Sequence, residues 1–215
     1  MSKYPIFIEL KNKRVVIVGG GQIAFRKAQA LLDTECRLVV VTKEVCDDLK
    51  SLCQQSNSEL ILGFYQADTL NKALLVVAAT NHRSLNEKIY QDCQTRQILC
   101  NIVDQPDLCD FYVPALVTRG SLQIAVSTQG VSPAFAGHVR QTLEQLYTDK
   151  HGEFLELLGW AREQTLTVLT DPNQKKAVSR WLAGDTSFEI FSKQGEVAWR
   201  ILAAKEITEA KTPES

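Results

Sequence analysis

Arg14-Val15-Val16-Ile17-Val18-Gly19-Gly20-Gly21-Gln22-Ile23-Ala24-Phe25-Arg26-Lys27-Ala28-Gln29-Ala30-Leu31-Leu32 decides how this chain folds. An unbroken β-branched run, Val15 to Val18, meets three glycines and then a helical pattern. A continuous apolar run of this kind suits a strand covered on both faces of a parallel sheet. Gly19, Gly21 and Ala24 fit G-x-G-x-x-[G/A]. The first position allows a tight strand-to-helix turn, the second lets backbone approach a pyrophosphate, and the third lets helix and strand pack closely. The free N–H groups at the helix start, with the dipole behind them, then hold the anion. The stretch points to a dinucleotide-binding turn, with a purely structural βα turn as the plain alternative.

Working outward, the first 113 residues alternate strand and helix. That alternation predicts an α/β, Rossmann-type doubly wound parallel sheet with helices on both faces. Strands are expected at Ile6–Leu10, Val15–Val18, Arg37–Val41, Leu60–Tyr65, Leu74–Ala79 and Ile98–Ile102. Helices are expected at Ile23–Asp33, Val45–Gln55 and Ser84–Arg96, with Asn12 turning the chain and Asp68 capping a short helical turn. From Phe111 the character changes. Leu122–Ser127 alternates like a half-buried strand, and Ser132-Pro133 starts a helix running through Tyr147, proline being well placed at the first helical position. Residues 151–205 read as helices only, broken at Asp171-Pro172. Trp160, Trp181 and Trp199 each lie near other apolar residues and are expected in the core.

The chain has 215 residues, 45% of them hydrophobic, and a formal net charge of -1. Such a balance gives no global pull toward nucleic acid or an anionic membrane. No apolar run approaches the roughly 20 residues that span a bilayer. The opening Met1-Ser2-Lys3-Tyr4-Pro5 has no signal-peptide core, so a cytoplasmic location is expected. Cys36, Cys46, Cys53, Cys93, Cys100 and Cys109 form no C-x-x-C pair and have no histidine at zinc spacing. Free, reduced thiols and no metal centre follow as the expectation.

In open α/β sheets the ligand lies beyond the carboxyl ends of the strands. Counted from Val15–Val18, the second strand ends at Thr42-Lys43-Glu44, where both signs of charge leave the choice between NAD and NADP open. The fourth ends at Ala79-Thr80-Asn81, whose small residues admit a cofactor ribose or nicotinamide; Asn81 also suits a helix cap. The fifth ends at Val103-Asp104-Gln105-Pro106, where Asp104 either accepts a proton during hydride transfer or only organises the turn. Beyond the sheet, Arg119 and the loop at Ser127-Thr128, rich in hydroxyls, suit a ligand that bears carboxylates. His138 and Arg140 can add positive charge, although isolated cations are more often structural.

Several motifs now stand in order. They are Pro5-Ile6-Phe7, Gly19-Gly20-Gly21-x-x-Ala24-x-Arg26-Lys27, Ala79-Thr80-Asn81, Asn101-x-Val103-Asp104-x-Pro106, Phe111-x-x-Pro114, Arg119 and Ser127-Thr128-x-Gly130-x-Ser132-Pro133-x-x-Ala136. Together they resemble the precorrin-2 dehydrogenase / sirohydrochlorin ferrochelatase family of sirohaem biosynthesis, most strongly over residues 4–147. The resemblance implies NAD-dependent oxidation of precorrin-2 to sirohydrochlorin, followed in many members by Fe²⁺ insertion to give sirohaem. It places the essential carboxylate on Asp104 and cofactor contacts on Gln22, Ile23, Lys43 and Glu44, beside Gly19, Gly21, Thr80 and Asn81. It also implies a homodimer, with a NAD-binding domain over residues 1–113, a dimerisation region over 114–150 and a helical C-terminal domain over 151–215. Arg119, Ser127 and Thr128 are the candidates for holding the substrate's acid groups; Thr128 stands where fused relatives carry a phosphorylatable serine. Those relatives continue into a uroporphyrinogen methyltransferase, so a separate methyltransferase partner is expected upstream. A NAD(H)-sensing module without turnover, or a chelatase alone, are the competing functions.

Overall fold

The computed structural model describes residues 3–56 and 58–211. These divide into two compact units, residues 3–113 and 114–211.

In the first unit five strands form one sheet, all neighbours parallel, in the order β3-β2-β1-β4-β5. The strands are β1 Arg14–Val18, β2 Arg37–Thr42, β3 Glu59–Leu62, β4 Ala73–Ala78 and β5 Leu99–Ile102. The helices between them are α1 Gln22–Gln29, α2 Asp47–Gln55 and α3 Arg83–Arg96. Each strand of the centre presents apolar residues to both faces. Val16, Val39 and Val76 pack with Ile89 and Cys93 of α3, while Ile17, Val40 and Val77 pack with Ala24 and Ala28 of α1 and Leu49 of α2. Burial on both sides explains why these strands read as continuous β-branched runs.

Ile6–Leu10 forms no strand. Both sides of β1 are already occupied, by β2 and by β4, so a strand before it has no central edge to join. Ile6 and Phe7 stay exposed and only Leu10 is buried, against Val15 and Leu75. Asn12 does turn the chain, in a left-handed conformation with φ of 60°. The helix expected to reach Asp33 ends at Gln29, and Leu32–Thr34 forms a separate 3-10 turn. Asp68 lies within the turn Ala67–Leu70 and its side chain caps nothing.

The second unit starts with the hairpin β6 Ala115–Arg119 and β7 Leu122–Val126, paired antiparallel. Helices α4 Pro133–Leu146, α5 Asp149–Val168 and α6 Pro172–Leu182 follow, and then α7 Asp185–Glu209, which is interrupted at Gly195, whose backbone is non-helical with φ of 82°. Ser132 and Asp171 cap α4 and α6 through side chains that accept from Phe135 N and Asn173 N, each with proline at the first helical position. Phe154, Leu157, Ala161, Phe191, Trp199 and Ile207 form the helical core. Trp199 is fully buried, and its indole N–H donates to Ser187 Oγ at 2.7 Å. Trp160 packs at the margin of this core. Trp181, in contrast, is 38% exposed; it faces away from the core that Val178 and Leu182 enter from the same helix.

Candidate dinucleotide site

The carboxyl ends of β1, β2, β4 and β5 are tied to one another by backbone hydrogen bonds just beyond the strands. Gly19 N donates to Val41 O at 2.9 Å, Ala79 N to Val18 O at 2.8 Å, and Val103 N to Ala78 O at 2.9 Å. The three glycines have different reasons to be glycine. Gly19 has φ of 133°, and a Cβ there would lie 2.3 Å from the Ala79 carbonyl oxygen. At Gly20 a Cβ would lie 1.9 Å from Glu44 O and 2.5 Å from Thr42 Oγ1. The sequence pattern assigns no role to this middle glycine, yet it is the most tightly confined of the three.

Gly21 is the opposite case. A Cβ there would meet nothing within 4 Å, and no side chain caps α1. The first N–H groups of that helix, at Gln22, Ile23 and Ala24, have no carbonyl four residues back within it. An open approach at Gly21 and uncapped helix-start donors fit a pyrophosphate. Ala24 is fully buried, as close helix–sheet packing requires. Gln22 Nε2 donates to Asp48 Oδ2 at 2.8 Å, which ties α1 to α2, and Ile23 is half-buried beside it.

At the end of β2, Thr42 Oγ1 donates to Glu44 O at 2.7 Å. This bond bends the loop so that the Glu44 carbonyl abuts Gly20. Lys43 is exposed with its ammonium 3.9 Å from the Phe64 ring centroid, and the Glu44 side chain is exposed. At the end of β4, Thr80 is tied to Asn86, which is 3% exposed. The Thr80 hydroxyl donates to Asn86 Oδ1 at 2.6 Å, and Asn86 Nδ2 returns a bond to Thr80 O at 3.0 Å. Asn81 is exposed and is not the cap of α3, a position held by His82.

Asp104 follows β5 in the left-handed region, with φ of 62°, and is exposed. The loop carrying it is fixed from beneath. Asn101 Nδ2 donates to Phe111 O at 2.9 Å, and the Cys109 thiol donates to Ile102 O at 3.2 Å. Asp110 accepts from Cys100 N at 2.9 Å and from Gln94 Nε2 at 3.0 Å. Burial, then the neighbouring Arg26, hold the Lys27 ammonium below its ordinary pKa, while the nearby Cys109 opposes the shift. Burial likewise pushes the Cys109 thiol up. Lys27, half-buried beside this loop, carries no role in the sequence reading beyond its place in a motif.

In the second unit the candidates sit differently. Arg119 Nη1 donates to Thr118 O at 2.8 Å and Nη2 to Glu144 O at 3.3 Å, and Nε lies 3.4 Å from Asp149 Oδ1. Thr128 Oγ1 donates to Ser132 O at 3.0 Å and accepts from Ser132 N at 3.2 Å. Ser127 Oγ accepts from Gln129 N at 3.1 Å. Arg140 pairs with Glu144 one turn along α4, and His138 is exposed. All six cysteines are free, and among the described residues no three His, Cys, Asp or Glu side chains cluster as a metal site.

Residues 6–115 match a family model described as "Putative NAD(P)-binding". The chain belongs to this NAD(P)-binding family. Residues 119–146 match a second model, described as "Sirohaem biosynthesis protein central". Among curated relatives, the siroheme synthase of Photorhabdus laumondii subsp. laumondii is 36% identical over 177 residues, covering 82% of this chain and 38% of that protein. The siroheme synthase of Pseudomonas fluorescens is 35% identical over 206 residues, covering 95% of this chain and 44% of that protein. The NAD(P)-binding chain thus spans less than half the length of these relatives. A solved structure, "SirC, precorrin-2 dehydrogenase", aligns with a TM-score of 0.77 at 21% identity, covering 96% of this chain and all of that one. The two share a fold.

Proposed function

We propose that this NAD(P)-binding protein oxidises precorrin-2 to sirohydrochlorin, using NAD⁺ as hydride acceptor. The observation that carries this reading is the pairing of an open dinucleotide turn after β1 with Asp104 after β5. Both flank β4, whose end is hydrogen-bonded to each side. The sirohaem relatives and the SirC fold supply the substrate class.

A nicotinamide dinucleotide held by Gly19, Gly21, Gln22 and Ile23 would supply the hydride acceptor for a reduced carbon of the macrocycle. The protein's tasks are to position that carbon and to take up the proton that leaves with the oxidation. Gly19, Gly21, Gln22 and Ile23 cradle the pyrophosphate, and Lys43 and Glu44 lie where the adenosine ribose is met. Thr80 and Asn81 border the nicotinamide side. The Asp104 carboxylate is exposed, and its side chain has no hydrogen-bond partner among the described residues, so it is free to accept the proton. Arg119, Ser127 and Thr128 are assigned to the substrate's carboxylates.

Insertion of Fe²⁺ into the product, with iron as substrate, would use the same carboxylate as acceptor for the pyrrole N–H protons. The pairing region of a homodimer is assigned to residues 114–150, where Leu116, Phe135 and Leu146 are exposed apolar residues. A cytoplasmic location is proposed; among the described residues no helix is long and apolar enough to cross a membrane. The test is an anaerobic absorbance time course of precorrin-2 with purified protein and NAD⁺. Growth of the sirohydrochlorin spectrum, followed by the sirohaem spectrum on adding Fe²⁺, is expected. An unchanged spectrum with cofactor bound would leave a sensing module instead.

A further inference from the structure

At the amino ends of the strands, opposite to the glycine turn, the sheet unit carries an open recess of about 340 Å³. Asn12, Lys13, Arg14, Arg37, Asn71 and Lys72 line it. We propose that this recess binds a small oxyanion bearing two or more negative charges, of the size of pyrophosphate or citrate.

The fold itself brings these cations together. Parallel pairing of β1 with β2 sets Arg14 directly against Arg37, and pairing of β1 with β4 sets Arg14 against Ala73, the residue after Lys72. Lys13 and Lys72 are the last residues before their strands, and Asn12 and Lys72 take left-handed conformations with φ of 60° and 62°. Like charges opposite each other on paired strands are unfavourable unless something of the other sign relieves them. Nearby carboxylates do so only partly. Glu59 lies 3.4 Å from Arg14, and Glu35 is taken by Lys11 at 2.8 Å.

Among the described residues no carboxylate pairs with Lys13, Arg37 or Lys72. Arg14 is itself underused. Its two hydrogen bonds, to Glu59 and to the Thr69 carbonyl, are both 3.4 Å long, and its Nε is buried without a partner. In a chain of net charge -1, four cations around one concavity form a local field that no overall charge balance explains. Guanidinium forks suit the paired oxygens of phosphate or carboxylate, and the lysines add point charge. The recess can hold one such anion but is smaller than most sites for drug-sized ligands, which run from ~300 to 1,000 Å³.

Calorimetric titration of the full chain with sodium pyrophosphate, and separately with sodium citrate, tests this. Two variants separate the two ends of the sheet: R37Q/K72Q removes recess charge from exposed strand starts, and Gly21→Asp puts a carboxylate into the open dinucleotide turn. Binding of at least one of the two anions is expected to persist in Gly21→Asp. It should weaken about tenfold or more in R37Q/K72Q, one lost charged contact being worth roughly that much. Retention of pyrophosphate but not citrate would identify a phosphate ligand, and the reverse a polycarboxylate; either supports the site. No binding of either anion by the unaltered chain, equal affinity in R37Q/K72Q, or complete loss in Gly21→Asp would each overturn it. None of these results depends on whether precorrin-2 is turned over.

Discussion

Polar residues at the strand ends of the sheet unit and polar residues of the hairpin–helix unit differ in what already occupies them. Asn81, Lys43 and Asp104 follow strands and are exposed, and among the described residues their side chains pair with no carbonyl or carboxylate. Arg119 and Thr128 are engaged within their own unit, one with the ends of α4 and α5 and the other across a four-residue loop. The contrast has a structural origin. Parallel strands satisfy their backbone along their length and release the chain into loops at one end, where Thr42 and Thr80 fasten the loops while Lys43, Asn81 and Asp104 are left exposed. A two-stranded hairpin has little core of its own, so its polar side chains are drawn into fastening it to helices.

The largest effect is expected where a free residue meets chemistry. Asp104→Asn should lower dehydrogenase turnover by roughly 10² to 10⁴-fold while leaving cofactor affinity and thermal midpoint unchanged. A turnover within twofold of the unaltered chain would remove Asp104 from the reaction. Next comes the contrast between neighbouring glycines. Gly20→Ala drives a Cβ into Glu44 O, and an overpacked site of this kind costs about 1–3 kcal/mol, read as a lower melting midpoint with weakened NAD binding. Gly21→Asp should keep the midpoint and lose the cofactor. A variant pair behaving alike would show that the turn is not divided in this way.

Arg119→Ala sharpens the comparison from the other side. If Arg119 is chiefly a fastener, its loss should cost the second unit about 2 kcal/mol, measured by denaturant unfolding. A rise in KM for precorrin-2 with stability unchanged would instead make it a substrate contact, free to leave its partners on binding. The smallest effect concerns Lys27. Its ammonium is held below the ordinary 10.5 by burial first and by Arg26 second, so folding disfavours its charge. The stability this withholds is lost as pH falls through the depressed pKa and restored toward 10.5. Lys27→Met should therefore be slightly more stable than the unaltered chain at pH 7, the gap closing on alkaline titration. A gap that widens with pH would reverse the sign.

The sheet unit was readable because its signals are physical necessities. A strand buried on both faces must be apolar throughout, so Val15–Val18 and Leu74–Ala79 declare themselves. Gly19 and Ala24 are small because the Ala79 carbonyl and the sheet leave no room. Ile6–Leu10 misled because β-propensity says nothing about whether a sheet edge is available. Ala115–Arg119 carries no clean alternation of apolar and polar residues to mark it as a strand, although Gly120-Ser121 between it and Leu122–Val126 is a two-residue hairpin loop. Gly20 has no motif role because its constraint comes from Glu44, more than 20 residues away, whose carbonyl is placed by the Thr42 hydroxyl. The tying of Arg119 to Glu144 and Asp149 is equally non-local. Composition at one position cannot register such contacts.

The most direct test of the account is the stoichiometry of NADH to sirohydrochlorin, measured anaerobically with precorrin-2 and limiting NAD⁺. The account predicts one NADH formed for each sirohydrochlorin in the unaltered chain, and the same ratio reached roughly 10² to 10⁴-fold more slowly in Asp104→Asn. Sirohydrochlorin formed without matching NADH, or NAD⁺ bound with no product, would contradict it.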